Sequence, residues 1–377
     1  MYDLKIRNFI LSHDNWEELL QSPPYNLKIS RDRGYIIFKY SQISSDFNNP
    51  IVQEARGIIF KESTWECVCH AFNKFGNWGE SYVPELNWNS VKVLEKVDGS
   101  LIRLWYDNGW HISTNGIIDA FQANINDLLC PTFGDLFLKS IPDTIVNFCA
   151  RLNQDRTYMF ELVSPHNRVV IPYEDIKLYY LGERDMITGQ EYFLPDEWNV
   201  SPKIYEFNNL EDVIKAAKEL PWDEEGYVCV DKYFRRCKIK SPSYVMAHYV
   251  RNNNTITKKR LIDIILNNEI TEFCIYANDY EELLNEVLQE MIEIDMQAEF
   301  IQFTFNMLHL TELSRKDYAG YVLQSPKIFH DFLFKNYENE ITWKEYVINW
   351  DANKWEKCLE QAEQYKINKE AEGLENE

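Results

Sequence analysis

The chain contains 377 residues, of which 45% are hydrophobic and 15% aromatic, and it carries a formal net charge of −21. A chain of this length rarely folds around a single hydrophobic core, so two domains are expected. The apolar content excludes a disordered chain. The acidic balance excludes a broad sheath of phosphate contacts, although a local basic groove could still bind nucleic acid.

Turn-forming residues divide the chain near Pro242. All but two of the 13 glycines and all but one of the 13 prolines lie at or before that residue. The region before it is rich in β-branched and aromatic runs, which favour short strands. In chain order, the predicted strands are 35–40, 57–60, 91–95, 101–106, 157–160, 177–181, 225–230 and 237–240, with helices over 118–130 and 210–220. This mixture predicts an α+β fold with mainly antiparallel sheets.

Beyond Pro242 the pattern becomes helical. The stretch 280–315 contains neither glycine nor proline and has apolar residues at helical spacing, and 342–369 is similar. The polar segment 251–259 is typical of a loop or linker. We therefore predict a mixed domain over 1–242 and an all-helical domain over 243–377.

The cysteines and the N-terminus bear on the compartment. Eight cysteines are scattered without the spacing of a disulfide framework. The first residues lack the apolar stretch of a secretory signal, and no run is long enough to span a bilayer. The expected setting is a reducing cytoplasm.

Lys96-Val97-Asp98-Gly99 is the first candidate for chemistry. The lysine precedes an Asp-Gly turn that has an apolar strand on each side, and a lysine held at the mouth of a sheet can attack a nucleotide phosphate. Asp-Gly is also a common hairpin turn, with exposed lysines nearby. This segment taken alone favours the hairpin interpretation.

Three further stretches favour the nucleotide interpretation. Glu161 and Glu225 each lie on or beside an apolar strand, where a buried acid needs a cation, a metal or a hydroxyl as partner. Lys238 and Lys240 share one face of a strand, where an anion such as phosphate would separate their charges. Solvent-facing glutamates and a lysine-guarded edge strand are the alternatives.

Together these segments resemble the ordered motifs of covalent nucleotidyltransferases, which include ATP-dependent ligases and mRNA capping enzymes. The resemblance is closest to the phage-type RNA ligase 1 family, the tRNA-repair ligases of T-even bacteriophages, and it covers about residues 30–250. The segments that carry it are Ala55–Phe60, Asn73–Asn77, Lys96–Gly99, Phe160–Val170, Glu225–Gly226 and Lys238–Lys240. The resemblance implies an antiparallel-sheet adenylyltransferase domain followed by an all-helical domain.

The resemblance also implies a reaction. Lys96 would attack the α-phosphorus of ATP to form a lysine–AMP adduct, and the AMP would pass to a 5′-phosphate end of RNA. A 3′-hydroxyl would then displace AMP and seal the strand. The implied cofactor is Mg²⁺, with Mn²⁺ as the alternative. The implied partners are RNA, including broken tRNA, and an end-healing kinase or phosphatase. A monomer in the cytoplasm of a bacterium or of a phage-infected host is expected.

Each matching residue takes a role from the family. The implied catalytic residues are Lys96, Asp98, Glu161, Glu225, Lys238 and Lys240. Glu225 would hold the metal, and Asp98 would stabilise the turn and reach the metal through water. Glu161 would engage the ribose. The implied nucleotide contacts are Tyr40, Arg56 and Lys74 at the β- and γ-phosphates, Lys238 and Lys240 at the α-phosphate, and Leu181 and Val228 on the two faces of adenine.

One position departs from the family, which usually has a lysine or arginine immediately before a glycine after the second strand. Here the pair is Asn115-Gly116, so the phosphate region lacks a cation unless Arg103 or another residue supplies it. A DNA ligase or a capping-type nucleotidyltransferase is an alternative, although no separate oligonucleotide-binding β-domain follows Lys240. A catalytically degenerate nucleotide- or RNA-binding protein is another.

Overall fold

The computed structural model describes residues 2–42, 44–125, 127–198, 200–249, 256–276, 280–309, 314–339 and 341–374. The chain divides into two compact units, unit 1 over Met1–Arg251 and unit 2 over Asn252–Glu377. Among the described residues, no helix combines the length and apolar character that crossing a membrane requires. The eight cysteines are all free thiols, as predicted.

Unit 1 contains three antiparallel sheets. The first has the strand order β1-β2-β3-β4, the second β10-β9-β8-β6-β7 and the third β11-β5-β12-β13. The strands are β1 Lys28–Asp32, β2 Tyr35–Lys39, β3 Arg56–Lys61, β4 Cys67–Cys69, β5 Lys92–Glu95, β6 Ser100–Tyr106, β7 Trp110–Thr114, β8 Arg156–Val163, β9 Lys177–Asp185, β10 Glu191–Tyr192, β11 Ile204–Tyr205, β12 Gly226–Val230 and β13 Arg236–Lys240. The predicted antiparallel α+β class is confirmed, and each predicted strand overlaps an observed one.

Each sheet of unit 1 buries one face against helices. The helices are α1 Lys5–Ser12, α2 Trp16–Gln21, α3 Pro50–Glu54, α4 Phe133–Ser140, α5 Ile145–Ala150, α6 Leu210–Glu219 and α7 Pro242–Tyr249. Apolar side chains of α1 to α3 pack on the first sheet, those of α4 and α5 on the second, and those of α6 on the third. The helices do not cover the strand ends near the junction of the sheets, and these ends line a cavity.

The helix predicted over 118–130 is wrong. The described residues there contain only the 3-10 turn Ala120–Gln122, and α4 begins later. The carboxylates of Asp119 and Asp127 accept hydrogen bonds from amides two or three residues further along. Such local hydrogen bonds compete with the helical ladder and favour turns. The helix predicted over 210–220 is confirmed as α6.

The strands on either side of Asp98-Gly99 do not form a hairpin. Strand β5 pairs with β11 and β12 in the third sheet, whereas β6 pairs with β7 and β8 in the second. Lys96–Gly99 therefore crosses from one sheet to the other. The buried Asp98 carboxylate anchors this crossing, because it accepts hydrogen bonds from the amides of Val170 and Ile171 at 2.9 and 2.8 Å and from the Tyr244 hydroxyl at 2.8 Å.

Unit 2 is helical in its described residues, as predicted. Its helices are α8 Lys258–Leu266, α9 Ile270–Tyr276, α10 Glu281–His309, α11 Arg315–Val322, α12 His330–Asn339, α13 Trp343–Val347 and α14 Ala352–Leu374. Residues 251–255 of the predicted linker lie outside the described residues. Helix α7, which the sequence pattern assigns to the second domain, belongs to unit 1, because Tyr244 anchors it to Asp98.

Tyr244→Phe should lower the free energy of unfolding of unit 1. It removes one of the three donors of a buried carboxylate, which costs about 1–3 kcal/mol. Urea unfolding should show this loss, while Tyr233→Phe, whose side chain is 63% exposed, serves as the matched control. Equal midpoints for Tyr244→Phe and the wild-type protein would contradict the anchoring role of the hydroxyl.

Candidate active site

A cavity of about 480 Å³ lies in unit 1 where the ends of strands from the three sheets meet. Five of the catalytic and nucleotide-binding residues predicted from the sequence line it: Arg56, Lys96, Glu161, Leu181 and Val228. They come from four strands and from the crossing segment Lys96–Gly99. The structure therefore brings together residues that are up to 172 positions apart in the chain, the separation of Arg56 and Val228.

A buried carboxylate holds the candidate nucleophile. Lys96 Nζ donates to Glu225 Oε2 at 2.7 Å, and Lys240 Nζ lies 3.6 Å from Glu225 Oε1. The Glu225 residue is only 5% exposed. Strands β5, β12 and β13 are adjacent in the third sheet, and the Lys96 amide extends their ladder by donating to the Gly226 carbonyl at 2.8 Å. The third sheet thus positions all three charged groups.

Gly226 permits this arrangement. Its φ is +135°, and a β-carbon there would lie 2.2 Å from the Ile239 carbonyl oxygen of the neighbouring strand. Only glycine combines such a backbone conformation with so close an approach. Gly226 is therefore a steric requirement of the strand pairing, and the Glu225 side chain immediately before it contacts Lys96.

Glu161 lies on β8 in the wall of the cavity. Burial raises the pKa of Glu161 to about 7; the positive charge of Lys96 opposes this rise, and Glu225 adds to it. A carboxyl group of this kind is partly protonated near neutrality, so it can both donate and accept a hydrogen bond. A ribose hydroxyl is a partner of suitable chemistry.

Arg56 presents unused hydrogen-bond donors. Its guanidinium carbon lies 4.6 Å from the ring centroid of Phe72 and 5.3 Å from that of Phe75. The buried Nε and Nη1 atoms have no hydrogen-bond partner, and burial lowers the pKa of the guanidinium below its usual range. Buried donors without partners are uncommon in folded proteins, and an anionic ligand would satisfy them.

Tyr40 and Lys74 do not line this cavity. Lys74 lines an adjoining pocket of about 330 Å³, which shares Phe75 with the main cavity. The Lys74 ammonium lies 4.7 Å from the ring centroid of Phe47 and 5.4 Å from that of Tyr40. Lys74 is thus in the adjoining pocket, whereas the Tyr40 side chain interacts with Arg56, which lines the main cavity.

Lys238 and Asp98 are not among the residues that line the cavity. The main-chain amide of Lys238 donates to the Gly76 carbonyl, and its carbonyl accepts from the Trp78 amide, which ties β13 to the segment 76–78. Both carboxylate oxygens of Asp98 are already bonded to protein donors. Asp98 is thereby placed to fix the course of the crossing segment.

Residues 54–244 match the RNA ligase family, and this match spans about half of the chain. It includes every predicted site residue except Tyr40. The chain belongs to the RNA ligase family. The resemblance to phage-type RNA ligase 1 proteins is confirmed.

Individual relatives agree with this membership. A protein of Autographa californica nuclear polyhedrosis virus, named for a polynucleotide kinase and an RNA ligase, is 31% identical over 284 residues, and an RNA ligase of Rhodothermus phage RM378 is 27% identical over 335 residues. The matches cover 70% and 69% of this chain, but 40% of the viral relative and 75% of the phage relative. A solved archaeal ATP-dependent RNA ligase is 13% identical with a TM-score of 0.46, over 79% of this chain and 83% of that one, a likeness too low to carry an argument.

Several cavity residues of this RNA ligase family member were missed from the sequence. They are Lys39, Phe72, Phe133, Phe193, Phe234 and Arg236. Phe133 begins α4 and the other three phenylalanines lie between strands, where they read as ordinary core residues and nothing local distinguishes them. Lys39 could have been found from strand register, because it pairs with Arg56 across β2 and β3.

Glu225 and Glu161 are carboxylates that could hold a divalent cation; Glu95 also lines the cavity, but its Oε2 accepts a hydrogen bond from the main-chain amide of Lys203. Mg²⁺ prefers oxygen ligands and usually combines one or two carboxylates with substrate phosphates and water. Glu161 lines the cavity, and Glu225 reaches its edge through Lys96. Asp98 does not fit as a direct ligand, because its oxygens bind amides and a hydroxyl.

The pKa of Glu161 predicts a pH dependence of stability. Between about pH 4.5 and 7 the folded protein retains a proton that the unfolded chain has lost, so its free energy of unfolding falls as pH rises through this window. Glu161→Gln removes this dependence. Across the pH window, the free energy of unfolding of the variant should therefore rise by about 1–3 kcal/mol relative to that of the wild-type protein. Urea unfolding at about pH 5 and pH 8 measures it. A difference between the two proteins that does not change with pH would contradict the raised pKa.

Proposed function

We propose that this protein is an ATP-dependent RNA ligase that joins 5′-phosphate and 3′-hydroxyl ends through a lysine–AMP intermediate. The observation that carries the proposal is the Lys96 amine, held by Glu225 at 2.7 Å in the same cavity as the unpartnered donors of Arg56. Attack on a phosphate needs two groups, a nucleophilic amine and a cation with free hydrogen-bond donors.

In the first step the Lys96 nitrogen would form a bond to the α-phosphorus of ATP while the bond to the pyrophosphate oxygen breaks. The amine must be neutral to attack, so its proton must leave, and Glu225 is the acceptor in contact with it. Lys240, on the other oxygen of Glu225, keeps that carboxylate in place. A divalent cation, Mg²⁺ or Mn²⁺, would neutralise phosphate charge when bound beside Glu225.

The remaining cavity residues suit a nucleoside. Leu181 from β9 and Val228 from β12 line the same cavity, as expected for side chains on the two faces of adenine. Glu161 would bind a ribose hydroxyl, and Lys238 and Lys240 would lie toward the α-phosphate. Lys74, in the adjoining pocket beside Tyr40, would reach the outer phosphates. These assignments rest on the family motifs and on the placement of the residues.

The RNA end would be the acceptor of the AMP group. In the second step the 5′-phosphate oxygen attacks the lysine-bound phosphorus and frees the amine, and in the third a 3′-hydroxyl displaces AMP. The viral relative, named for a kinase as well as a ligase, supports a link to RNA end healing. Repair of broken tRNA, a monomeric state and a cytoplasmic location stay predictions.

Lys96→Ala should abolish the covalent labelling that labelled ATP and a divalent cation give the wild-type protein. The reason is that the phosphoramidate bond forms on this nitrogen. Lys203→Ala is the matched control, because Lys203 is exposed and its main chain donates to the neighbouring Glu95. Mass spectrometry should find one AMP on wild type and on the control. Undiminished labelling of Lys96→Ala would contradict the assignment of Lys96 as the nucleophile. If the wild-type protein forms no adduct, the alternative of a catalytically degenerate binding protein is favoured instead.

Unit 2 should select the RNA substrate. A chain that ends at residue 251 retains the cavity and all three sheets, so it should still form the lysine–AMP adduct. Its preference between a nicked stem-loop RNA and a linear RNA should differ from that of the full chain. Strand-joining assays with both RNAs measure this preference. An unchanged preference would contradict a role for unit 2 in substrate choice.

A further inference from the structure

Lys39 reaches the cavity from the end of β2. It lines the cavity together with Asn115 and Gly116, although those two residues follow β7 in another sheet. The position that a β-carbon on Gly116 would occupy lies 3.2 Å from both Cδ and Nζ of Lys39. The Lys39 side chain therefore lies against Gly116, in space that a larger residue would restrict.

The described residues give the Lys39 ammonium no ion-pair partner. Within the described part of the chain, no carboxylate forms a salt bridge with it, whereas Lys61, Lys96 and Lys240 each contact at least one. Lys39 also pairs in register with Arg56, whose buried Nε and Nη1 lack partners. Two cations on adjacent strands thus line one cavity, and among the described residues neither forms a salt bridge, although the carboxylates of Glu95 and Glu161 line the same cavity.

Asn115 adds a second unsatisfied group at this end of the cavity. Its buried side-chain oxygen accepts no hydrogen bond in the described structure. A protonated ammonium can donate three hydrogen bonds, so Lys39 can serve this oxygen and a bound anion together. The asparagine that replaces the basic residue usual in the family thereby stands beside a lysine from another strand.

Arg103 cannot supply the missing charge to a ligand. Its guanidinium is fully buried and donates to the main-chain carbonyls of Gly57 and Thr114. It does not line the cavity. Its role is to join β3 to the end of β7 beneath the cavity wall.

We propose that Lys39 is a phosphate-binding residue that supplies, from β2, the positive charge absent at position 115. The proposal rests on the proposed function, because the ligand is a phosphate group of one of its substrates. Two sources share this chemistry, namely the polyphosphate of ATP and the 5′-phosphate of RNA. Lys39 and Arg56 would hold the phosphate between them, and the neutral Asn115 would orient the Lys39 ammonium.

Equilibrium binding separates the two sources without requiring catalysis. In a Lys96→Met background no adduct forms, so affinities for ATP, adenosine, 5′-phosphorylated RNA and 5′-hydroxyl RNA can be compared directly. Lys39→Met should weaken binding of ATP or of 5′-phosphorylated RNA by about tenfold or more, since it removes a charge-assisted contact. Binding of adenosine and of 5′-hydroxyl RNA should not change. The affected ligand identifies the source.

Three further variants make the test specific. Lys28→Met is the matched control, because Lys28 pairs with Lys39 across β1 and β2 but does not line the cavity. Lys39→Arg should retain most of the affinity. Asn115→Lys combined with Lys39→Met should recover it, because it returns a cation to the same end of the cavity.

The outcomes are distinct for the two proposals. The role of Lys39 is supported if Lys39→Met loses affinity for a phosphorylated ligand, Lys39→Arg retains it and the double variant recovers it. The role of Lys39 is overturned if Lys39→Met binds both phosphorylated ligands as tightly as Lys28→Met does. It is also overturned if the double variant recovers no affinity. Absence of an AMP adduct on the wild-type protein contradicts the proposed function instead, and it does not affect these binding comparisons.

Discussion

The ion pair between Lys96 and Glu225 determines how the rest of the cavity is built. A carboxylate that is 5% exposed must keep its cationic partners, because breaking a buried pair leaves an unpaired charge at a cost of about 3–5 kcal/mol. Lys96, which follows β5, and Lys240 from β13 both meet this one carboxylate, so the third sheet cannot shift its register without losing both contacts. The same constraint holds the Lys96 amine at one place in the cavity. A phosphate that reacts with Lys96 must therefore bind beside this fixed amine.

The second sheet reaches this point through the buried Asp98. Its carboxylate binds the amides of Val170 and Ile171, which follow the strand that carries Glu161. The crossing segment therefore links the sheet of the lysine to the sheet of the second acid. Tyr244 extends the link to α7 at the end of unit 1. A motif that reads as a surface turn is thus a buried junction between two sheets.

The distribution of charge explains how so acidic a chain could bind polyanions. The net charge of −21 belongs to the whole molecule, whereas the cavity is lined by four basic residues and two acidic ones: Lys39, Arg56, Lys96 and Arg236 against Glu95 and Glu161. Glu191 pairs with Arg236, and Glu225 pairs with Lys96, but Arg56 retains unpartnered donors. The local excess of donors arises because strands of the first and third sheets end at the same cavity. No stretch of sequence shows that excess.

The sequence by itself determined the strand segments, the change to helices near Pro242 and the six motifs, because alternation, turn residues and motif order are local properties of the chain. It misplaced a helix over 118–130, where aspartate side chains capture nearby amides. It also could not show that Asp98-Gly99 joins two sheets, nor that Lys39 lies beside Asn115. Those facts depend on which strands pair, and pairing is decided by burial across the whole domain. Tertiary structure alone therefore decided that Lys39 and Arg236 share the cavity with Lys96 and Arg56.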